Sequence, residues 1–239
     1  MEQLWLQIVQ WLHTVGLHID SGTAQAVADG AARATQQLDM PALLALAAAL
    51  GWASGIRLYA VVFLVGGMGA LGWIALPQAL LVLQHPVVLM ASGFMLFIEF
   101  FADKVPWLDS AWDAIHAFIR VPAGALLAAG VFGADNASMA VAAGLLGGTL
   151  SATALATKMT ARAAANTSPE PFSNWGLSFL EDGLVVGVVW LATQHPLAFG
   201  VALAVALAVS ALLLVVLFKF LRAVLRRVSS LFSASAKVA

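Results

Sequence analysis

Apolar residues in this chain come in long runs, and the points where polar residues break those runs mark out its elements. The clearest run is PLAFGVALAVALAVSALLLVVLF, residues 196–218, which exceeds the roughly 20 residues a helix needs to cross the hydrocarbon core of a bilayer. Residues 40–76 are again mostly apolar over 37 positions, too long for one crossing, and GWASGIR at 51–57 interrupts them. The pattern predicts two short spans there, 40–55 and 58–76, with Arg57 at the turn. Further spans are expected at 87–102, 121–133, 137–157, 175–193 and 197–218, about seven in all. Asp39 can cap the first of them, and Pro41 falls in its first turn, where a missing N–H costs little.

The first 39 residues follow another rhythm. Gln3, Gln7, Gln10 and Thr14 form one stripe of a helix, with Leu4, Trp5, Ile8, Trp11, Leu12 and Val15 opposite. That is the pattern of an amphipathic helix lying in the interface, with its tryptophans near the headgroups. The start lacks the basic region and small-residue cleavage site of a signal peptide. Three regions result: an N-terminal amphipathic interfacial segment at 1–39, a transmembrane domain at 40–218, and a basic tail at 219–239.

Composition agrees with the membrane reading. The chain is 62% hydrophobic and only 10% charged, with a mean hydropathy of +0.95, against about a quarter charged in soluble domains. With no cysteine, disulfides, thiolate metal sites and cysteine nucleophiles are excluded. Lys219, Arg222, Arg226 and Arg227 mark the C-terminus as cytoplasmic. Walking back across the spans puts Lys158, Arg162, Lys104, Arg120 and Arg57 on that same side. An internal repeat fits this count. The motif QHP opens a span at 84–86 and again at 194–196, and GWASGIRLYA at 51–60 can be laid over GTLSATALAT at 148–157. The expected architecture is therefore all-α and polytopic, with two parallel three-helix repeats (40–105 and 136–218) joined by one linker helix within 106–135.

Charge concentrates in EFFADKVPWLDSAWDAIHAFIR, residues 99–120. Glu99 and Asp103 share a face at the inner end of a span, and Lys104 follows. Pro106 is expected to stop that helix and Asp109 to cap the next. Asp109, Asp113, His116 and Arg120 then recur at spacings of four, three and four, opposite Trp112, Ile115 and Phe118. This reads first as a solvated interface helix with internal ion pairs. Glu99 is harder to place in that way, because ionisable groups at membrane depth face a cavity or a partner. Glu181 and Asp182 lie about two turns inside another span with no basic neighbour in sequence, so they need a partner from elsewhere, a raised pKa or a bound cation. Arg57 and Arg162 are the candidates to supply the charge, and the preceding loop adds Lys158, Asn166, Asn174 and Ser178, with Asn174 a plausible helix cap.

The segments GWASGIRLY, EFFADKVPWLDSAWDAIHAFIR and ARAAANTSPEPFSNWGLSFLED resemble the bacterial membrane family known as domain of unknown function 4126, over roughly residues 40–215. The resemblance implies a multi-spanning inner-membrane protein sharing Glu99, Asp103, Lys104, Pro106, Asp109, Arg162, Asn166, Pro169, Asn174, Glu181 and Asp182, and it lends no activity. No zinc-protease helix, phosphate-binding loop or nucleophile elbow is present. The expected function is a transporter or channel whose repeats surround an acid-rich cavity open to the cytoplasm. The alternatives are an intramembrane enzyme acting on a lipid headgroup, or a membrane scaffold. Candidate solute- or ion-binding residues are Arg57, Glu99, Asp103, Lys104, Asp109, Asp113, Arg162, Asn166, Asn174, Glu181 and Asp182. No cofactor is evident, and the acids leave room for a bound cation. The expected partners are the bilayer, a small solute or ion, and further copies of the chain, with no nucleic acid.

Overall fold

A computed structural model describes residues 39–105, 107–166 and 172–235. The amphipathic reading of residues 1–38, the stop at Pro106, and Pro169 with Pro171 lie outside the described residues. Within them the chain is helical, with α1 (Met40–Ala70), α2 (Pro86–Ala102), α3 (Leu108–Gly130), α4 (Ala137–Ala165), α5 (Phe172–Gln194) and α6 (Pro196–Ser235). Short 3₁₀ turns at Gln78–Gln84 and Ala134–Asn136 precede α2 and α4. By length and apolarity, α1, α4, α5 and residues Pro196–Val216 of α6 can each cross a membrane. A fifth span is added if the Gln78–Gln84 turn and α2, bent by 65°, count as one.

Asp39 caps α1 as its sequence suggests, accepting a hydrogen bond from the Ala42 amide at 3.0 Å. The element then runs through the interruption at 51–57 and breaks only at Arg57, with φ −144° and ψ 85°. Contacts on either side of the break lead to the same end of the bundle. Before it, Gly51 approaches Gly147 of α4 so closely that a Cβ would stand 2.6 Å from the Gly147 Cα. After it, Gly93 of α2 meets the Phe63 ring and Gly66 meets Leu83 and Leu89. From those points α4 leads to Arg162 and α2 leads to Glu99. Arg57 is therefore the corner of two arms that fold back from it, and the second arm ends at Ala70 rather than at residue 76.

The expected separate span at 121–133 is corrected. Residues 109–120 and 121–130 form one helix, α3, with Pro122 in its interior. An interior proline costs about 3 kcal/mol, and close antiparallel packing on α4 offsets it: Gly147 sits against Ala128, and Gly124 against Ser151. Asp109 is not the cap either. Trp107 holds that position at φ 72°, and Asp103 and Asp109 both come within 4 Å of Arg162, at 3.2 Å and 3.9 Å.

Candidate ion-network site

A side chain's environment depends on which face of its helix is covered, and α3 covers its polar face. Asp109, Asp113 and Arg120 are 0% exposed and His116 7%, whereas Ile115 is 65% and Phe118 86% exposed. The reading of α3 as a solvated interface helix is thereby overturned. With lipid as the surrounding solvent, the apolar face is the one that can be left outside, and the charges must find partners within.

They find them in side chains from α1, α2, α4 and α5. At the corner of α1, Arg57 reaches Asp103 Oδ2 at 2.7 Å and Asp182 Oδ1 at 3.0 Å, and donates to Ser178 Oγ at 2.8 Å. Arg120 bridges Glu99 and Asp113, the latter at 2.6 Å. One turn apart on α4, Lys158 and Arg162 project to the same place. Lys158 Nζ lies 3.1 Å from Asp113 and 3.4 Å from Glu181, and donates to the Ile56 carbonyl at 3.2 Å. The break at Arg57 frees that carbonyl, so the corner and the network are locally coupled. Arg162 forms a two-pronged bridge to Glu181, with both N–H···O distances 2.9 Å, and its Nη1 donates to the Asp103 carbonyl at 2.8 Å.

The outer layer is neutral. Asn166 Nδ2 donates to Asp109 Oδ1 at 3.1 Å and to Ser110 Oγ at 3.0 Å, and Asn174 Nδ2 donates to Asn166 Oδ1 at 2.7 Å. Asn174 is the third residue of α5, not its cap. Beside Arg120, His116 stacks on Trp112 with centroids 4.0 Å apart and meets Tyr59 edge-on at 5.8 Å. Its Nδ1 lies 2.8 Å from the Trp112 carbonyl oxygen, which can only accept, so Nδ1 carries a proton. Lys104 stays at the rim, half-buried, folded back over the Phe100 ring.

Acidic groups outnumber cations in this cluster. Glu99, Asp103, Asp109, Asp113, Glu181 and Asp182 face the four buried cations Arg57, Arg120, Lys158 and Arg162, with Lys104 a fifth at the rim. Glu99 Oε2, Asp103 Oδ1 and Asp113 Oδ2 accept no hydrogen bond from the described residues. Burial by itself raises the pKa of Asp103, but Lys158, Arg57 and Arg162 outweigh it and hold the carboxyl below the usual aspartate range.

All eleven candidate residues lie in or beside this network. Arg57 and Arg162, offered as alternative partners for Glu181 and Asp182, both serve: Arg162 takes Glu181, and Arg57 takes Asp182. Sequence reasoning left out of the site Lys158, which touches four acids, and also Arg120, Ser178 and Tyr59. A signal for Lys158 was present, because it stands four residues before Arg162 on an otherwise uncharged helix.

A family model described as a domain of unknown function (DUF4126) matches residues 44–216. The chain belongs to this family. The matched stretch includes every residue of the network, while residues 1–43 and the basic tail fall outside it. No curated protein matches the chain, and neither does any solved structure.

Proposed function

We propose that the protein is a multi-pass membrane transporter, with the ion network as the closed gate of a polar pathway for a small solute or ion. The observation that carries this reading is the excess of carboxylates in a cluster assembled from several helices. A buried pair kept only for stability gains little over apolar packing, and ionisable groups at membrane depth mark solute and ion routes. Opening such a cluster requires helices to separate and water or a cation to replace the lost partners. The same excess supports a cationic solute or coupling ion.

The arms of α1 on either side of Arg57, the other helices, and their alternating directions are compatible with seven crossings arranged as three, one and three. In that arrangement the corner of α1 corresponds to the connection between α4 and α5, and the network lies on the cytoplasmic side of a bacterial inner membrane.

The absence of cysteine permits a direct test. Ser178 is fully buried against Arg57, so Ser178→Cys reacts with a membrane-impermeant maleimide only when the network opens. The expected result is slow labelling from one face, accelerated when Glu181→Gln weakens the gate. No labelling in either background over hours, under imposed ion or pH gradients, would show a permanent strut and refute the transporter reading.

A further inference from the structure

At the rim of the network, two aromatic rings hold an ammonium that belongs to the chain itself. Lys104 Nζ stands 2.9 Å from the centroid of the Phe100 ring and 5.2 Å from that of Phe179. The two rings meet edge to face at 6.1 Å and 71°. Aromatic faces attract cations, and cages of such rings recognise ammonium ligands. Phe100 comes from α2 and Phe179 from α5, so the cage joins the two helices that carry Glu99 and Glu181. Behind it lies Asp182, whose side chain is 32% exposed and so forms the accessible edge of the acid cluster. Lys104 Nζ also donates to the Phe100 carbonyl at 3.0 Å, which tethers the ammonium against the ring.

We infer that the Phe100–Phe179 cage is the docking point for an organic ammonium, and that Lys104 occupies it as a tethered competitor. The inference rests on the transporter reading only for the step after docking, the passage of the cation to the excess carboxylates. Recognition by the cage stands on its own geometry. Such a ligand brings a cation to a cluster in which acidic groups outnumber cations, and the rings select an alkylated or primary ammonium over a strongly hydrated metal ion. The ammonium can belong to a free amine or to the headgroup of a lipid.

The test is calorimetric titration of the full chain, in nanodiscs of phosphatidylglycerol, with tetramethylammonium and with ethanolammonium. Lys104→Met keeps the stem of the side chain and removes the competing charge. If Lys104 fills the cage about nine-tenths of the time, its removal tightens apparent binding about ten-fold. Phe179→Leu should abolish that gain, and Lys104→Gln guards against a folding defect peculiar to methionine. Nanodiscs containing phosphatidylethanolamine separate the two sources: suppression of the soluble probe assigns the site to a lipid headgroup, and unchanged binding assigns it to a free amine. Failure of both Lys104 variants to bind either probe overturns the inference, as does binding that Phe179→Leu leaves untouched. Cage binding combined with an unlabelled Ser178→Cys variant would leave the cage standing and remove the transporter reading.

Discussion

Arg162 is the cation bound to Glu181 through two hydrogen bonds, and its removal strands buried charge. Its guanidinium is fully buried and holds Glu181 through two N–H···O bonds of 2.9 Å, with Asp103 Oδ2 at 3.2 Å. Arg162→Met keeps most of the stem volume, so packing loss is small and the removed charge dominates. Removing one partner of a buried pair costs about 3–5 kcal/mol, because the other charge is left behind without compensation. Here Glu181 loses both of its short bonds, Asp103 keeps Arg57 at 2.7 Å, and Lys158, 3.4 Å from Glu181, recovers part of the loss. A loss of about 3 kcal/mol is expected, which for a chain of this size corresponds to a fall in melting midpoint of roughly 10 °C. The eight tryptophans give an intrinsic fluorescence signal for thermal unfolding in detergent. Glu181→Gln in the same chain removes the stranded charge, and the double variant should regain at least about 1 kcal/mol relative to additivity. Additive losses, or no loss from Arg162→Met, would refute the idea that this ion pair bears on stability.

The same geometry fixes two further outcomes. Asp103 has a folded-state pKa below its unfolded value of about 3.9, so its contribution is fully present above that value and is lost as pH falls through the folded value; melting midpoints should decline below about pH 4, and Asp103→Asn should flatten that decline, with an unaltered slope counting against the assignment. Gly147→Val places a branched side chain against Ala128 and the Gly124 carbonyl and should destabilise by more than about 2 kcal/mol, whereas Gly67→Ala, with nothing within 4 Å of the new Cβ, should be neutral or slightly stabilising in the same fluorescence melt.

Several features of the fold were legible because they follow from local chemistry. A polar residue in a long apolar run marks an interruption, and Arg57 is that interruption. The acids Glu181 and Asp182 lack basic neighbours in sequence to neutralise them, so their need for distant cations could be read directly. The side of α3 that faces inward could not be read. The spacing of Asp109, Asp113, His116 and Arg120 defines a face equally well for a helix at the water surface and for one whose apolar face meets lipid. The periodicity is the same in both cases, and only the partners on α2 and α4 decide between them. Continuity through Pro122 was hidden for a related reason. Proline is a local penalty, and the close approach of Gly124, Gly147 and Ser151 that offsets it exists only once α3 and α4 are side by side. Lys158 was named with the loop before α5 yet left out of the site, because a lone lysine near a helix end resembles a topology signal; only folding sets it among Glu99, Asp103, Asp113 and Glu181.

The central claim is that the polar face of the 99–120 segment is inside the protein, and carbodiimide footprinting measures this most directly. The protein in nanodiscs is treated with a water-soluble carbodiimide and an amine, digested, and the rate of modification of each carboxyl is read by mass spectrometry. Asp39 is exposed and should react fast, and Asp182, partly exposed, more slowly. Glu99, Asp103, Asp109 and Asp113 are fully buried and should stay unmodified until the protein is denatured. Modification of Asp109 and Asp113 at the rate of Asp39 in the native protein would place that face in water and contradict the account.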